Sequence, residues 1–161
     1  MDRMIVTWFG AGLMKPAPGT WGSLVAVALG VLIHWWGSFP ALAVATLAVT
    51  ALGFWSIARY TRGMEDPDRS EIVIDEVAGQ WLALCFPSFG FWHAGLDATN
   101  FPYPGWVAAF VFFRLFDIWK PWPVHASENW LPAGWGIMLD DILAGLMAMC
   151  CMLVLRALGW V

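Results

Sequence analysis

Charge is scarce in this chain. Only 12% of its 161 residues are Asp, Glu, Lys or Arg, about half the share usual in a soluble domain. Basic residues are fewer still, eight against twelve acids, and they do not cluster. Nothing therefore offers the electrostatic footprint of a nucleic-acid-binding surface. Cysteine is limited to Cys85, Cys150 and Cys151, all inside apolar runs, which argues against a secreted disulfide framework. Cys150 and Arg156 share the C-x5-R spacing of thiol phosphatases, but the residues after Cys150 are Cys-Met-Leu-Val-Leu. They read as buried helix, not as a loop turning N–H groups toward phosphate. The three histidines, His34, His93 and His125, are far apart in sequence, which disfavours zinc.

What the chain has instead is apolar length. Hydrophobic residues make up 60% of it, and its mean hydropathy is +0.67. Five apolar stretches appear: Trp21–Trp36, Phe39–Ala58, Ile72–Trp92, Gly105–Trp119 and Ile137–Trp160. A spanning helix needs about 20 residues, so the second, third and fifth qualify while the first and fourth are short. Many of the 13 Trp lie at or just beyond the ends of these stretches: Trp21, Trp35, Trp36, Trp92, Trp106, Trp119, Trp122, Trp130, Trp135 and Trp160. Membrane–water interfaces favour indole at such places. The run from Met4 to Ser23 is broken by Gly and Pro and further apolar runs follow, so it does not read as a signal peptide. The expectation is an all-α, polytopic membrane helix bundle of about five apolar helices, with residues 1–161 forming one membrane-embedded domain.

Orientation follows the basic residues. Arg3 and Lys15 precede the first stretch, Arg59, Arg62 and Arg69 follow the second, and Lys120 follows the fourth. The connections near Gly37–Pro40 and from His93 to Pro104 have no Lys or Arg. The N-terminus, the Arg59–Arg69 loop and the Lys120–Trp135 loop are therefore expected in the cytoplasm, with Val161 outside. Arg156 is the exception, near the outer end of the last stretch, where it can snorkel to headgroups.

The acids follow this map. Asp75 and Glu76 fall one turn into the third stretch, Asp117 one turn before the end of the fourth, and Asp140 and Asp141 one turn into the fifth. Three segments thus bring carboxylates to one depth, about one helical turn (~5 Å) below the same face. Arg114, Asp117 and Lys120 are spaced so that Asp117 can touch either base on a helix. Five acids against these two bases leave an excess of about three negative charges, and intramembrane carboxylates point to function. Carboxylate oxygens suit Mg²⁺, which takes one or two of them together with water and substrate phosphate. Asp75, Glu76, Asp117, Asp140 and Asp141 are the candidate metal ligands. Gly79 and Gly145 follow Asp75 and Asp141 by four residues, where glycine admits either another helix or a phosphate. The segment from Gly10 to Ser23 is too rich in Gly and Pro for a continuous helix. Ser23 is a natural N-cap for the first stretch, and Lys15 and Thr20 add a cation and a hydroxyl where free N–H groups favour an anion.

Four blocks resemble the phosphatidylglycerophosphatase A family: Lys15-Pro-Ala-Pro-Gly-Thr-Trp-Gly-Ser23, Ile72-Val-Ile-Asp-Glu-Val-Ala-Gly79, Phe113-Arg-Leu-Phe-Asp-Ile-Trp-Lys-Pro-Trp-Pro123 and Gly136-Ile-Met-Leu-Asp-Asp-Ile-Leu-Ala-Gly145. They occur in the family's order, without departure at the charged positions. The resemblance implies Mg²⁺-dependent hydrolysis of phosphatidylglycerophosphate to phosphatidylglycerol at the cytoplasmic face of a bacterial inner membrane, with the phospholipid as partner. On that reading Asp75, Glu76, Asp117 and Asp141 are catalytic, and Lys15, Thr20, Arg114 and Lys120 bind substrate. Attack by water and an aspartyl-phosphate both stay open. Another lipid-headgroup phosphotransfer enzyme is an alternative, although the long Asp-Gly…Asp…Asp pattern of CDP-alcohol phosphotransferases is absent. An ion-binding transporter is a further one, although its acids should run through the bilayer.

Overall fold

A computed structural model describes residues 1–65, 67, 69–99, 103–128, 130–131 and 133–159. Trp160 and Val161, the last expected interfacial indole and the terminus expected outside, lie beyond the described residues. The helices are α1 (Asp2–Val6), α2 (Pro18–Tyr60), α3 (Ile74–His93), α4 (Tyr103–Trp119), α5 (Val124–Ser127) and α6 (Ala133–Ala157), with a 3-10 turn at Ala11–Leu13. There is no strand among the described residues, so the all-α expectation holds.

The 43 residues of α2 are not one rod. Ser38 has φ 56 and ψ −157, outside helical space, and Pro40 follows. Proline lacks an N–H and its ring crowds the carbonyl four residues back, so the helix breaks there. Its two arms, 18–37 and 39–60, carry the first two apolar stretches. By length and hydropathy, α2 and residues Gly134–Ala157 of α6 are long and apolar enough to cross a membrane. The 20 residues of α3 open on two acids and α4 has 17 residues.

Small residues let these helices approach closely. A Cβ added at Gly79 would lie 2.5 Å from the Asp141 carbonyl oxygen, and one at Gly145 would lie 2.6 Å from the Gly79 carbonyl oxygen. Of the two uses foreseen for these glycines, the structure shows helix packing, with α3 and α6 crossing backbone to backbone. Polar contacts fix the other faces of α3. Trp81 Nε1 donates to the Ala26 carbonyl at 2.7 Å, and His34 Nδ1 meets Ser88 Oγ at 2.8 Å. Trp106 differs from the interfacial expectation, being 1% exposed with its ring edge-on to His34. It faces the core from α4, whereas the other described Trp expected at the interface are substantially exposed.

Ser23 is not the N-cap of the first apolar helix. The helix starts five residues earlier at Pro18, whose missing N–H costs nothing in a first turn, and Ser23 Oγ donates back to the Gly19 carbonyl at 2.9 Å. The N-terminal segment is clasped to the far end of α2 and the start of α3. Arg59 Nε pairs with Asp2 and Arg3 Nη2 with Glu71, both at 3.3 Å, and Val73 N donates to the Val6 carbonyl at 2.9 Å. Hydrogen bonding from Tyr60 holds the Glu71 carboxyl below its usual range. The N-terminus and the Arg59–Arg69 loop therefore lie at one end of the bundle.

Candidate active site

At this end lies a cavity of about 330 Å³, and its walls carry Asp75, Glu76, Arg114, Asp117, Lys120, Asp140 and Asp141. Each comes from a helix end or near one. Asp75 and Glu76 stand in the first turn of α3, and Asp117 in the last turn of α4. Asp140 and Asp141 sit two turns into α6 and not one, because α6 begins at Ala133, ahead of the apolar stretch. Asp75, Asp140 and Asp141 are each 6% exposed or less.

The pairing of these charges is selective. Arg114 Nη1 donates to Asp117 Oδ2 and lies 3.4 Å from Ser23 Oγ, while Nη2 lies 3.4 Å from Thr20 Oγ1. Lys120 leaves Asp117 aside. Its Nζ donates to Asp140 Oδ2 at 2.7 Å and to Glu128 Oε1. The reason is local: Lys120 has φ 46 and takes the chain out of α4, so its ammonium swings toward α6. Burial opposes its charge, but the hydrogen bonds to Asp140 and Glu128 outweigh this and raise its pKa. Lys120 is accordingly a fixed positive charge at neutral pH.

Asp75, Glu76 and Asp141 then form no ion pair among the described residues. One oxygen from each lies within 4.8 Å of the other two, and Glu76 Oε2 is buried with no hydrogen-bond partner. Three unneutralised carboxylates at this spacing suit a divalent cation. Mg²⁺–oxygen bonds of about 2.0–2.1 Å put neighbouring ligands about 2.9 Å apart and opposite ones about 4.2 Å apart. Gly19 closes the site from α2, since a Cβ there would lie 2.2 Å from Glu76 Oε1.

Two sequence candidates sit elsewhere. Lys15 is exposed and does not line the cavity, and Thr20 reaches it only through Arg114. Two charged residues outside the candidate set from the sequence also line it: Arg69 and Glu128. No helical periodicity ties Glu128 to Lys120; the contact depends on the turn through Pro121–Pro123 and on α5.

Each of the four motif blocks contributes to the cavity wall: Pro18 and Gly19, then Asp75 and Glu76, then Arg114 and Asp117, then Asp140 and Asp141. The family model for phosphatidylglycerophosphatase A matches residues 4–156. The chain belongs to the phosphatidylglycerophosphatase A family. It is 35% identical over 147 residues to a phosphatidylglycerophosphatase A of Haemophilus influenzae, covering 91% of this chain and 83% of that protein. It is 32% identical over 149 residues to the one of Escherichia coli, covering 91% and 78%. A Bacteroides thetaiotaomicron protein named putative phosphatidylinositol-3-phosphatase is 35% identical over 147 residues, covering 88% and 85%. No solved structure matches the chain. Within the phosphatidylglycerophosphatase A family, then, this member brings the acids of three motif blocks to one cavity.

Proposed function

We propose that this protein is a Mg²⁺-dependent phosphoric monoester hydrolase that converts phosphatidylglycerophosphate to phosphatidylglycerol at the cytoplasmic face of a bacterial inner membrane. The observation that carries the reading is the trio Asp75, Glu76 and Asp141, sharing one cavity with Arg114, Lys120 and Arg69. Family membership supplies the substrate class. The two arms of α2 with α3, α4 and α6 form the five crossings, and the positive-inside rule puts the basic, acidic end in the cytoplasm. The phosphate then enters at headgroup depth while its acyl chains stay in lipid.

Asp75, Glu76 and Asp141 would hold the cation, with Asp117 and Asp140 beside them. When bound, Mg²⁺ supplies Lewis-acid stabilisation of phosphoryl charge. Arg114 lines the cavity and is aimed by Asp117, Thr20 and Ser23, which suits its planar fork to phosphoryl oxygens. Lys120, locked between Asp140 and Glu128, adds a charge that does not titrate near neutrality. A cavity carboxylate orients water for in-line attack. The ester P–O bond breaks, and the leaving oxygen takes a proton to become the terminal hydroxyl of phosphatidylglycerol.

The test is phosphate release from phosphatidylglycerophosphate by the purified protein in detergent, after chelation and after Mg²⁺ is restored. Loss and recovery support the reading; full turnover after exhaustive chelation refutes the metal's part. The name of the Bacteroides relative favours a second substrate, a phosphoinositide monoester. Parallel hydrolysis of phosphatidylinositol 3-phosphate separates the two, since the lipid with the higher kcat/KM is the one the cavity serves.

A further inference from the structure

The acidic end takes the segments that carry every Lys and Arg except Arg156. That residue lies in the last turn of α6, at the opposite end of the bundle. It forms no ion pair among the described residues. Its guanidinium lies across α3 at Gly90, where an added Cβ would sit 2.9 Å from Nη1. Two cavities flank it, of about 480 and 210 Å³, and Arg156, Phe86 and Gly90 line both. The larger is walled, Arg156 aside, by apolar residues and glycine, and the smaller adds only His93 to such walls. Among the described residues no acid lines either. Asp97, the carboxylate of the α3–α4 loop, instead accepts from the backbone N–H and hydroxyl of Thr99 at 2.8 and 2.7 Å.

We propose that this end of the bundle binds an anionic membrane phospholipid, its headgroup on Arg156 and its acyl chains in the two flanking apolar cavities. The inference rests on the membrane-spanning reading above. Charge complementarity selects the occupant. A guanidinium with no carboxylate beside it among the described residues favours an anion, and walls this apolar favour hydrocarbon. The glycine at position 90 lets the guanidinium fold onto α3 between the cavities, where a larger residue would push it off. A zwitterionic lipid brings its own cation to the phosphate and gains less from Arg156. The site is separate from the acidic cavity and faces the other leaflet.

Lipid selectivity of the full chain tests this, measured with spin-labelled phosphatidylserine against spin-labelled phosphatidylcholine in reconstituted vesicles. Phosphatidylserine has no phosphate monoester and so is not a substrate of the proposed reaction. The protein is expected to retain phosphatidylserine about fivefold over phosphatidylcholine, the scale for one basic residue beside an anionic lipid. Arg156→Gln should abolish the preference, Arg156→Lys should keep part of it, and Gly90→Val should reduce it by displacing the guanidinium. Asp75→Asn, which empties the acidic cavity of one charge, should leave it intact. No preference in the unaltered protein, or an undiminished one in Arg156→Gln, overturns the proposal. Phosphate release measured on the same samples keeps the two readings apart, since hydrolysis can fail while selectivity persists and the reverse.

Discussion

Replacing Gly79 with Ala tests how tightly the crossing of α3 and α6 governs the chemistry. The new methyl carbon would stand 2.5 Å from the Asp141 carbonyl oxygen and 2.5 Å from Phe113 Cε2, where ordinary contact begins at 3.4 Å. The deficit is about 0.9 Å, and one of the atoms in the way is backbone, which no rotamer change moves aside. The helices must therefore part by about that distance. Alanine recovers about 1 kcal/mol of helix propensity, while overpacking costs about 1–3 kcal/mol, so the fold should survive with a modest loss of thermal stability. The larger effect falls on geometry. Asp75 and Asp141 belong to the two separating helices, and a displacement near 1 Å can cost about 100-fold in rate. Phosphate release titrated with Mg²⁺ should show turnover down by about that factor and a raised metal requirement. Gly63→Ala is the comparison: its φ of +80 makes alanine strained, but no atom lies within 4 Å, so turnover should hold. Turnover and Mg²⁺ requirement of Gly79→Ala within about twofold of the unaltered protein would refute the reasoning.

Further outcomes are expected at the cavity. Asp75→Asn, Glu76→Gln and Asp141→Asn should each lose about 100-fold or more in kcat, the scale of a main electrostatic stabiliser, with helical content by circular dichroism unchanged; Asp97→Asn, in its exposed loop, should behave normally. Glu128→Gln frees Lys120 from one of its two carboxylates and should lower kcat/KM about tenfold, one charge-assisted hydrogen bond's worth. Arg114→Lys gives up the fork that meets Asp117, Thr20 and Ser23 together, and should lose about tenfold or more in phosphate release although the charge is kept.

The apolar stretches were legible because hydropathy is a local signal. Even the break in α2 was marked, since Gly37–Pro40 read as a connection and Ser38 leaves helical space there. The acids were legible for a related reason: a carboxylate inside an apolar run stands out whatever it touches. Their pairing was not. Helical spacing offered Asp117 to both Arg114 and Lys120, and the choice was made by the turn at Lys120 and by Asp140, 20 residues on. Glu128 was invisible as a site residue because a loop acid has no periodicity to give it away. Ser23 misled for a different reason. A Ser ahead of an apolar run carries a capping signal, but Pro18 had already opened the helix, and the hydroxyl turned back to Gly19.

The clasp around the N-terminus sets an order of assembly. Asp2, Arg3 and Val6 are synthesised well before their partners Arg59, Glu71 and Val73. During synthesis the chain emerges N-terminus first, so these residues wait, without those partners, while both arms of α2 are made. The segment before α2 is thus fastened only after α2 is complete. Fastening it ties the entry of α2 to that of α3, the two helix starts that supply Gly19 and Glu76. A bulky fusion at Met1 would weigh on this late step, with the cavity floor still untied.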